Sequence, residues 1–377
     1  MLPSGLQVRV GKRAFARCTL YGCLPAIDGI WRVSTAAGRL RGKVKQLPAS
    51  DVYVPPQRIG FRELSAPEAA RVASLVDSAL QAFGLKGYEV ASLTKHSNVT
   101  ARLVSASGPA LALRLRDAPG VDVRTEYEWL DAVRRGTSIH VIETFAEALD
   151  GMVRTVEAPD GKPIECALFL WAQGRPLAAE LNETNYRELG RTTALLHDFA
   201  ATWNPPADLK PLVWDRTMYY ENTALVFGEP DYAEYVTATQ ASSIERIVAE
   251  ADRELARLAR DPTCMFLHGN IEMWNVLVTG PGQLRLLDFE DVMFGHPVLD
   301  VAITFYYGRE RKDYPALTQA YESGYRSVRT WPVRNPRQLE LLTAARATML
   351  LNYALQTETD KRSITARLLP LILSALQ

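Results

Sequence analysis

Long apolar runs, paired cysteines and net charge are what this 377-residue sequence has least of. No apolar segment approaches the roughly 18–20 residues of a membrane-spanning helix, so no membrane role is expected. The four cysteines show no CxxC spacing with histidines, so a zinc site is not expected and the thiols are expected to be reduced, as in a cytoplasmic protein. Lys plus Arg and Asp plus Glu each number 43, and this balance argues against nucleic-acid binding.

The neutral total hides an uneven distribution of charge along the chain. Residues 1–64 carry eleven Lys/Arg and three Asp/Glu, for a net charge of +8, and the remaining 313 residues carry −8. Such a split indicates an appended module. Its basic surface is expected either to pack on the acidic remainder or to bind a protein or peptide. Nucleic acid is the least favoured partner, because no helix-turn-helix or RNP-like motif accompanies the charge.

The pattern of strands and helices predicts an α+β chain in three parts. Residues 1–60 contain short alternating segments between Gly, Pro and Asp, which predict a small β module with an SH3-like barrel as the candidate fold. Residues 61–170 predict a small mixed β lobe: a helix at 66–83, three strands, a helix near 122–135 and a strand pair within 140–159. Residues 171–377 predict a larger helical lobe, interrupted by two short strands around "NVLVTG" and "QLRLLDF".

The strongest chemical signal lies at residues 266–300, "FLHGNIEMWNVLV" followed by "QLRLLDFEDVMFGHPVLDVA". A hairpin formed by the two short strands would bring Asn275 close to Asp288, which follows it by thirteen residues. An amide oxygen beside a carboxylate is what a Mg²⁺ ion carrying substrate phosphates needs, because Mg²⁺ prefers a few hard oxygen ligands and keeps its waters.

These two motifs, at this spacing, resemble the catalytic loop and the DFD/DFE motif of the aminoglycoside phosphotransferase/choline kinase-like family. The resemblance runs from about residue 85 to the C-terminus. It implies a two-lobed protein-kinase-like fold and an ATP-dependent kinase that acts on a hydroxyl group. Within the motifs it implies that Asn275 and Asp288 bind Mg²⁺, that His268 is the structural histidine of the loop and that Asp300 braces the loop. Asp291 is interpreted as an extension of the acidic loop.

The resemblance extends to the residues that would bind ATP. "ALALRLRDAP" followed by "RTEYEWL" resembles the strand and helix that carry a cation–glutamate pair, which assigns Arg114 to the phosphates and Glu126 as its partner. Arg116 and Glu128 are the rivals for these two roles.

Two further segments complete the implied nucleotide site. "LTKHSNVTARL", with Ser97 and Asn98, resembles the hairpin that covers the phosphates. "LFLWAQGRPL", with Phe169 and Trp171, resembles the hinge between the lobes, whose backbone would bond to adenine.

One position departs from the family pattern. Asn270 stands where the family has its catalytic Asp, which orients the acceptor hydroxyl and accepts its proton. An amide can hold a hydroxyl but cannot take up a proton at physiological pH, so transfer is expected to be impaired. Three explanations are open: a variant inactivated by substitution, a natural pseudokinase that binds nucleotide and recruits a partner through its basic N-terminal module, or a kinase with another base. Glu272 is the nearest carboxylate in sequence.

The sequence does not choose the phosphoryl acceptor. Antibiotic, amino-acid, choline-like and peptidyl Ser/Thr hydroxyls are all substrates of relatives with this fold, and a fold does not select among them. The C-terminal lobe lacks the acidic run expected for a polycationic aminoglycoside, which disfavours that acceptor.

Overall fold

The computed structural model describes residues 66–95, 98–116, 122–146, 149–219, 224–358 and 360–376, together with four two-residue strands nearer the N-terminus. Apart from those strands, the predicted β module over residues 1–60 lies outside the described residues, and so does Ser97. Within the described residues the chain divides into two compact units: 66–116 with 143–175, and 122–142 with 176–376.

The elements are named in chain order. The strands are β1 (Cys18–Thr19), β2 (Gly22–Cys23), β3 (Ser34–Thr35), β4 (Gly38–Arg39), β5 (Tyr88–Lys95), β6 (Val99–Ser105), β7 (Leu111–Arg116), β8 (His140–Val141), β9 (Val153–Glu157), β10 (Pro163–Leu170), β11 (Arg175–Pro176), β12 (Leu212–Val213), β13 (Met265–Leu267), β14 (Val276–Gly280), β15 (Gln283–Leu286) and β16 (Met293–Gly295). The helices are α1 (Ala66–Ala82), α2 (Val123–Gly136), α3 (Leu149–Met152), α4 (Glu183–Ala200), α5 (Ala238–Leu258), α6 (Val298–Tyr306), α7 (Tyr314–Arg326), α8 (Pro336–Thr357) and α9 (Lys361–Ser374).

The first unit is an antiparallel sheet covered by one helix. Its strand order is β5-β6-β7-β10-β9, so β7 and β10 lie inside the sheet, and consecutive residues of both strands are buried. The apolar face of α1, including Val72, Leu75 and Val76, joins the same buried cluster as Leu113 of β7 and Leu168 of β10. Burial of this stripe of α1 is what holds the helix on the sheet.

The second unit is mainly helical and contains two small sheets. One has the order β11-β14-β15-β8, and the other has the order β12-β16-β13. The α+β prediction and the hairpin formed by β14 and β15 are both confirmed.

The prediction of a strand pair within residues 140–159 is wrong. The two segments form strands, but β8 pairs in parallel with β15 of the second unit, and β9 pairs with β10 of the first. The short helix α3 precedes β9, and no tight turn joins the two strands. Alternation of apolar residues identifies a strand but does not choose its partner.

Two helices of the second unit, α4 and α7, approach each other at backbone contact. A Cβ added to Gly324 of α7 would lie 1.9 Å from the carbonyl oxygen of Arg187 on α4. A glycine is therefore needed at this crossing, because a side chain would drive the helices apart. Among the described residues, no helix is both long enough and apolar enough to cross a membrane.

Candidate active site

The loop after β13 is fixed by a buried carboxylate on helix α6. The backbone N–H groups of His268 and Gly269 donate to the two carboxylate oxygens of Asp300, at 3.1 and 2.9 Å. His197 of α4 places its Nε2 3.1 Å from the same carboxylate. Asp300 is fully buried, so these contacts compensate the cost of removing its charge from water. The result is a loop whose backbone is held from beneath at two consecutive residues.

The side chain of His268 ties this loop to the end of β15. Its Nε2 lies 2.9 Å from the carbonyl oxygen of Leu287, and its Nδ1 lies 3.3 Å from the backbone N–H of Asn270. A carbonyl accepts and an N–H donates, so the ring carries its proton on Nε2 and is neutral. Burial lowers the pKa of His268, which is consistent with that neutral form. His268 thus occupies a supporting position beneath the loop.

Gly269 lets the loop lie directly against the segment that follows β15. Its φ of 79° is in the left-handed region, and an added Cβ would lie 1.9 Å from the carbonyl oxygen of Asp291. A residue with a side chain would have to move one of the two segments. This contact brings the side chains of Asn270 and Asp291 together.

Asn270 is held from both sides by charged groups. Its Nδ2 donates to Asp291 Oδ2 at 2.9 Å, and its Oδ1 accepts from Arg346 Nη2 at 3.1 Å. These partners determine the orientation of the amide, since reversing it would place NH₂ against a guanidinium and oxygen against a carboxylate. Arg346, on α8, is buried and also donates to the Tyr219 hydroxyl at 3.3 Å. Asn270 is 8% exposed, so its side chain has one fixed position.

Sequence reasoning missed Arg346 and assigned Asp291 only to an acidic loop. Arg346 lies 76 residues from Asn270, so no local motif connects them. One signal was available: an arginine within the apolar helical run "TAARATMLL" is unusual, because a buried cation needs polar partners.

The hairpin of β14 and β15 places the two predicted metal ligands side by side along the backbone. Its register pairs Val276 with Leu286, and the N–H of Leu287 donates to the carbonyl oxygen of Asn275 at 2.9 Å. Asn275 therefore lies opposite the residue that precedes Asp288. The Nδ2 of Asn275 donates to the carbonyl oxygen of Asn270 at 3.1 Å, which identifies the other side-chain atom as an acceptor oxygen.

Asp288 has an unusual backbone conformation. Its φ is 63°, which makes it the single residue other than glycine with positive φ in the described part of the chain. An L-residue pays roughly 1–2 kcal/mol for the left-handed region, although Asp and Asn tolerate it best. Residues held in this way concentrate at functional sites, where the surrounding structure fixes them.

The donor set fits a Mg²⁺ ion that carries phosphates. Asn275 and Asp288 supply an amide and a carboxylate oxygen, the hard ligands that Mg²⁺ takes from proteins. The described residues contain no cluster of three or more His, Cys, Asp or Glu that could hold a metal alone. A Mg²⁺ ion that carries phosphates does not need such a cluster, because phosphate and water complete its coordination.

Glu272, the alternative base considered from the sequence, faces a tyrosine. It is 2% exposed, and the Tyr307 hydroxyl donates a hydrogen bond to it. Burial and the charge of Glu272 raise the pKa of Tyr307 well above its usual range, so this phenol stays protonated. The Glu272 carboxylate therefore has a buried structural partner.

In the first unit, Arg114 and its rival Arg116 lie in different surroundings. Arg114 is 7% exposed on β7, and its guanidinium lies over the Phe169 ring, 5.1 Å from the ring centre. Arg116 forms a salt bridge of 3.1 Å with Glu165 on the neighbouring strand β10. That ion pair gives Arg116 a structural role within the sheet.

Glu126 belongs to the second unit, whereas Arg114 belongs to the first, and their pairing stays a prediction. Glu126 lies in the first turn of α2 and is 1% exposed. Asp122 caps the N-terminus of α2, and its side chain accepts from the backbone N–H of Thr125 at 2.8 Å. Burial lowers the pKa of His268, and the charge of Glu126 is among the weaker influences that oppose this shift. The rival Glu128 is half-buried.

The remaining predicted nucleotide residues lie in the first unit. Asn98 precedes β6 and is half-buried. Phe169 lies in β10, and Trp171 follows that strand with its ring 4.8 Å from the Arg102 guanidinium. The N–H groups of residues 170 and 171 donate to the carbonyl oxygens of Glu143 and Ala110 at 2.9 Å, so both have backbone partners within the first unit.

Comparison with known proteins connects this arrangement to an enzyme family. Residues 93–336 match the model of the phosphotransferase enzyme family (APH), a span that includes every site residue discussed above except Arg346. An uncharacterized protein of Synechocystis sp. (strain ATCC 27184 / PCC 6803 / Kazusa), sll1119, is 24% identical over 218 residues. That alignment covers 58% of this chain and 58% of the relative, so the chain spans little more than half of the length of that protein.

Solved structures show the same fold at low sequence identity. A microcompartment-associated aminopropanol kinase is 20% identical with a TM-score of 0.64, over 80% of this chain and 95% of that one. The amicoumacin kinase hAmiN, in complex with AMP-PNP, Ca²⁺ and Ami, is 15% identical with a TM-score of 0.63, over 80% and 93%. These likenesses show that the fold is protein-kinase-like.

Proposed function

Because the chain belongs to the phosphotransferase enzyme family, we propose that it is an ATP- and Mg²⁺-dependent kinase. It would transfer the γ-phosphoryl group to a hydroxyl of a small molecule or of a Ser/Thr-like side chain. The observation that supports this most is the loop of Asn270, whose backbone is hydrogen-bonded to Asp300 and His268, together with the hairpin that places Asn275 opposite the residue before Asp288. Rigid support of this kind is what phosphoryl transfer requires, since catalysis is mainly positioning and electrostatics.

Each residue has a defined part in this proposal. Asn275 and Asp288 would hold the Mg²⁺ ion, which neutralises charge on the phosphates when it is bound. Arg114 would contact the phosphates, and Glu126 would position it. Asn270 would hydrogen-bond the acceptor hydroxyl with its orientation fixed by Arg346.

A second candidate is a nucleotide-binding protein without transferase activity. The observation in its favour is the amide at position 270, because an amide does not take up the proton of an attacking hydroxyl. In that case the basic N-terminal segment would recruit a partner protein or peptide. That segment lies outside the described residues, and its partner stays a prediction.

Restoring a carboxylate at the base position separates the two candidates. ADP release from ATP–Mg²⁺ would be measured for the native protein and for Asn270→Asp. The acceptor panel would contain an aminopropanol and amicoumacin, which structurally similar kinases are named for, together with choline, a hydroxyl amino acid and a Ser/Thr peptide.

The kinase proposal predicts that the native protein, Asn270→Asp or both release ADP faster with at least one acceptor than with water alone. If the native loop has no base, Asn270→Asp should be faster than native by about tenfold or more, since general-base catalysis contributes roughly 10²–10⁴; if another carboxylate accepts the proton, it should not be faster. Absence of acceptor-dependent ADP release by both proteins on the whole panel, with ATP binding intact, would favour the inactive nucleotide-binding protein.

A further inference from the structure

Asp291 is hydrogen-bonded to Asn270, the residue that stands at the position of the family's catalytic base. Its Oδ2 is 2.9 Å from Asn270 Nδ2, and the backbone contact through Gly269 holds the two residues at this separation. Asp291 ends the short 3-10 helix at Phe289–Asp291, so its backbone is also fixed from the Asp288 side. A hydroxyl that hydrogen-bonds to the Asn270 amide is therefore close to a carboxylate.

The charged groups around Asn270 favour a catalytic base at position 291 over one at position 270. The NH₂ of the amide faces Asp291, and its oxygen faces Arg346. A carboxylate at position 270 would stand about 3 Å from that of Asp291, and two carboxylates so close cannot both ionise readily. With an amide at 270, Asp291 has a hydrogen-bond donor beside it in place of a second carboxylate.

The other nearby carboxylate is less suited to this task. Glu272 is 2% exposed and accepts a hydrogen bond from Tyr307, whereas Asp291 is half-buried. A general base must reach the proton that it removes, and Asp291 is the more accessible of the two.

We propose that Asp291 is the catalytic residue that accepts the proton of the acceptor hydroxyl, with Asn270 orienting that hydroxyl. This rests on the proposed kinase function. In the transfer step the hydroxyl oxygen forms a bond to the γ-phosphorus of ATP, and the bond from that phosphorus to the β–γ bridging oxygen breaks. ADP leaves with the electron pair of the broken bond. The hydroxyl proton passes to the Asp291 carboxylate and from there to water.

The test exchanges the two side chains. The variants are Asp291→Asn, the double variant Asn270→Asp/Asp291→Asn and a control, Asp313→Asn. The double variant keeps the net charge, and an amide at 291 can still donate to a carboxylate at 270, which can still accept from Arg346. Asp313 is an exposed residue paired with Arg311, remote from the loop in its contacts. ADP release from ATP–Mg²⁺ would be measured with water alone and with the acceptor panel.

Asp291→Asn is expected to slow ADP release by at least about 100-fold, and the double variant to recover at least tenfold of that loss. The control should remain within about twofold of the native rate. Loss followed by recovery, with the melting temperature of Asp291→Asn unchanged, assigns the missing function to a carboxylate at this site, since a purely structural need for Asp291 would lower the melting temperature of the single variant.

Two results would overturn the assignment of Asp291: a rate for Asp291→Asn within threefold of native, and a double variant as slow as Asp291→Asn. Failure of the proposed function itself is recognised separately, because the native protein, Asn270→Asp and the double variant would then release no ADP with any acceptor, whether or not ATP–Mg²⁺ raises their melting temperatures.

Discussion

At the scale of single residues, the Asn270 amide suits the charged groups on both sides of it. The amide accepts from Arg346 and donates to Asp291, whereas a carboxylate at this position would face a second carboxylate. Asp300 and His268 hold the backbone of the loop independently of the side chain at 270. The position of the loop and the chemistry of residue 270 can therefore be varied separately.

Gly269 is expected to be the least replaceable residue of this loop. Gly269→Ala combines a left-handed φ of 79° with a Cβ placed 1.9 Å from the Asp291 carbonyl oxygen. Gly282→Ala is a matched control, because its φ is 62° and nothing lies within 4 Å of the added Cβ. The control should lose about 1 kcal/mol of unfolding free energy, the cost of the backbone conformation alone. Gly269→Ala should lose at least about 2 kcal/mol more, as measured by urea unfolding, and equal losses would contradict the steric account.

At the scale of elements, the hairpin of β14 and β15 was predictable from the sequence because its two strands and its Gly/Pro turn are adjacent in the chain. The nearness of Asn275 and Asp288 followed from that local pairing. The contact of Arg346 with Asn270 was not predictable, since it joins α8 to a loop 76 residues away through tertiary packing. The partners of β8 and β9 were missed for the same reason, because the alternating pattern of a strand does not identify a pairing partner that is distant in the chain.

The crossing of α4 and α7 predicts whether a Gly→Ala substitution there raises or lowers the unfolding free energy. In an exposed helix, Gly→Ala stabilises by about 1 kcal/mol. At Gly324 the added Cβ would lie 1.9 Å from the Arg187 carbonyl oxygen, so Gly324→Ala should instead destabilise by about 2 kcal/mol or more. Gly228→Ala, where nothing lies within 4 Å, should change the unfolding free energy by less than about 1 kcal/mol. A stabilised Gly324→Ala would show that the helices are not in backbone contact.

At the scale of the whole molecule, stability should fall in mildly acidic solution through His268. Burial lowers its pKa in the folded state, so below about pH 6.5, the unfolded-state value, the unfolded chain binds a proton that the folded one does not. The unfolding free energy should therefore drop by up to about 1.4 kcal/mol per pH unit below that value, and it should not depend on this group above it.

His268→Gln should reduce the fall of the unfolding free energy at acidic pH, as measured by urea unfolding between pH 8 and 5. The exposed residue His140 supplies the control, since His140→Gln should leave the slope unchanged. Half-buried His296, whose pKa is also lowered by burial, is present in both variants and contributes equally. An unchanged slope in His268→Gln would show that the ring is not buried in its neutral form.

At this scale the central claim is that the protein binds ATP–Mg²⁺ through Asn275 and Asp288. The most direct measurement is the melting temperature with ATP and Mg²⁺ present together and singly, for the native protein and for Asp288→Asn. Asn preserves the shape of Asp and tolerates its φ of 63°, so this variant removes mainly the negative charge. A ligand at 100 times its Kd adds about 2.7 kcal/mol to the unfolding free energy, which predicts a rise of about 3–4 °C for a native protein of this length. Asp288→Asn should show less than half of that rise. No rise with ATP–Mg²⁺, or an equal rise in Asp288→Asn, would contradict the account.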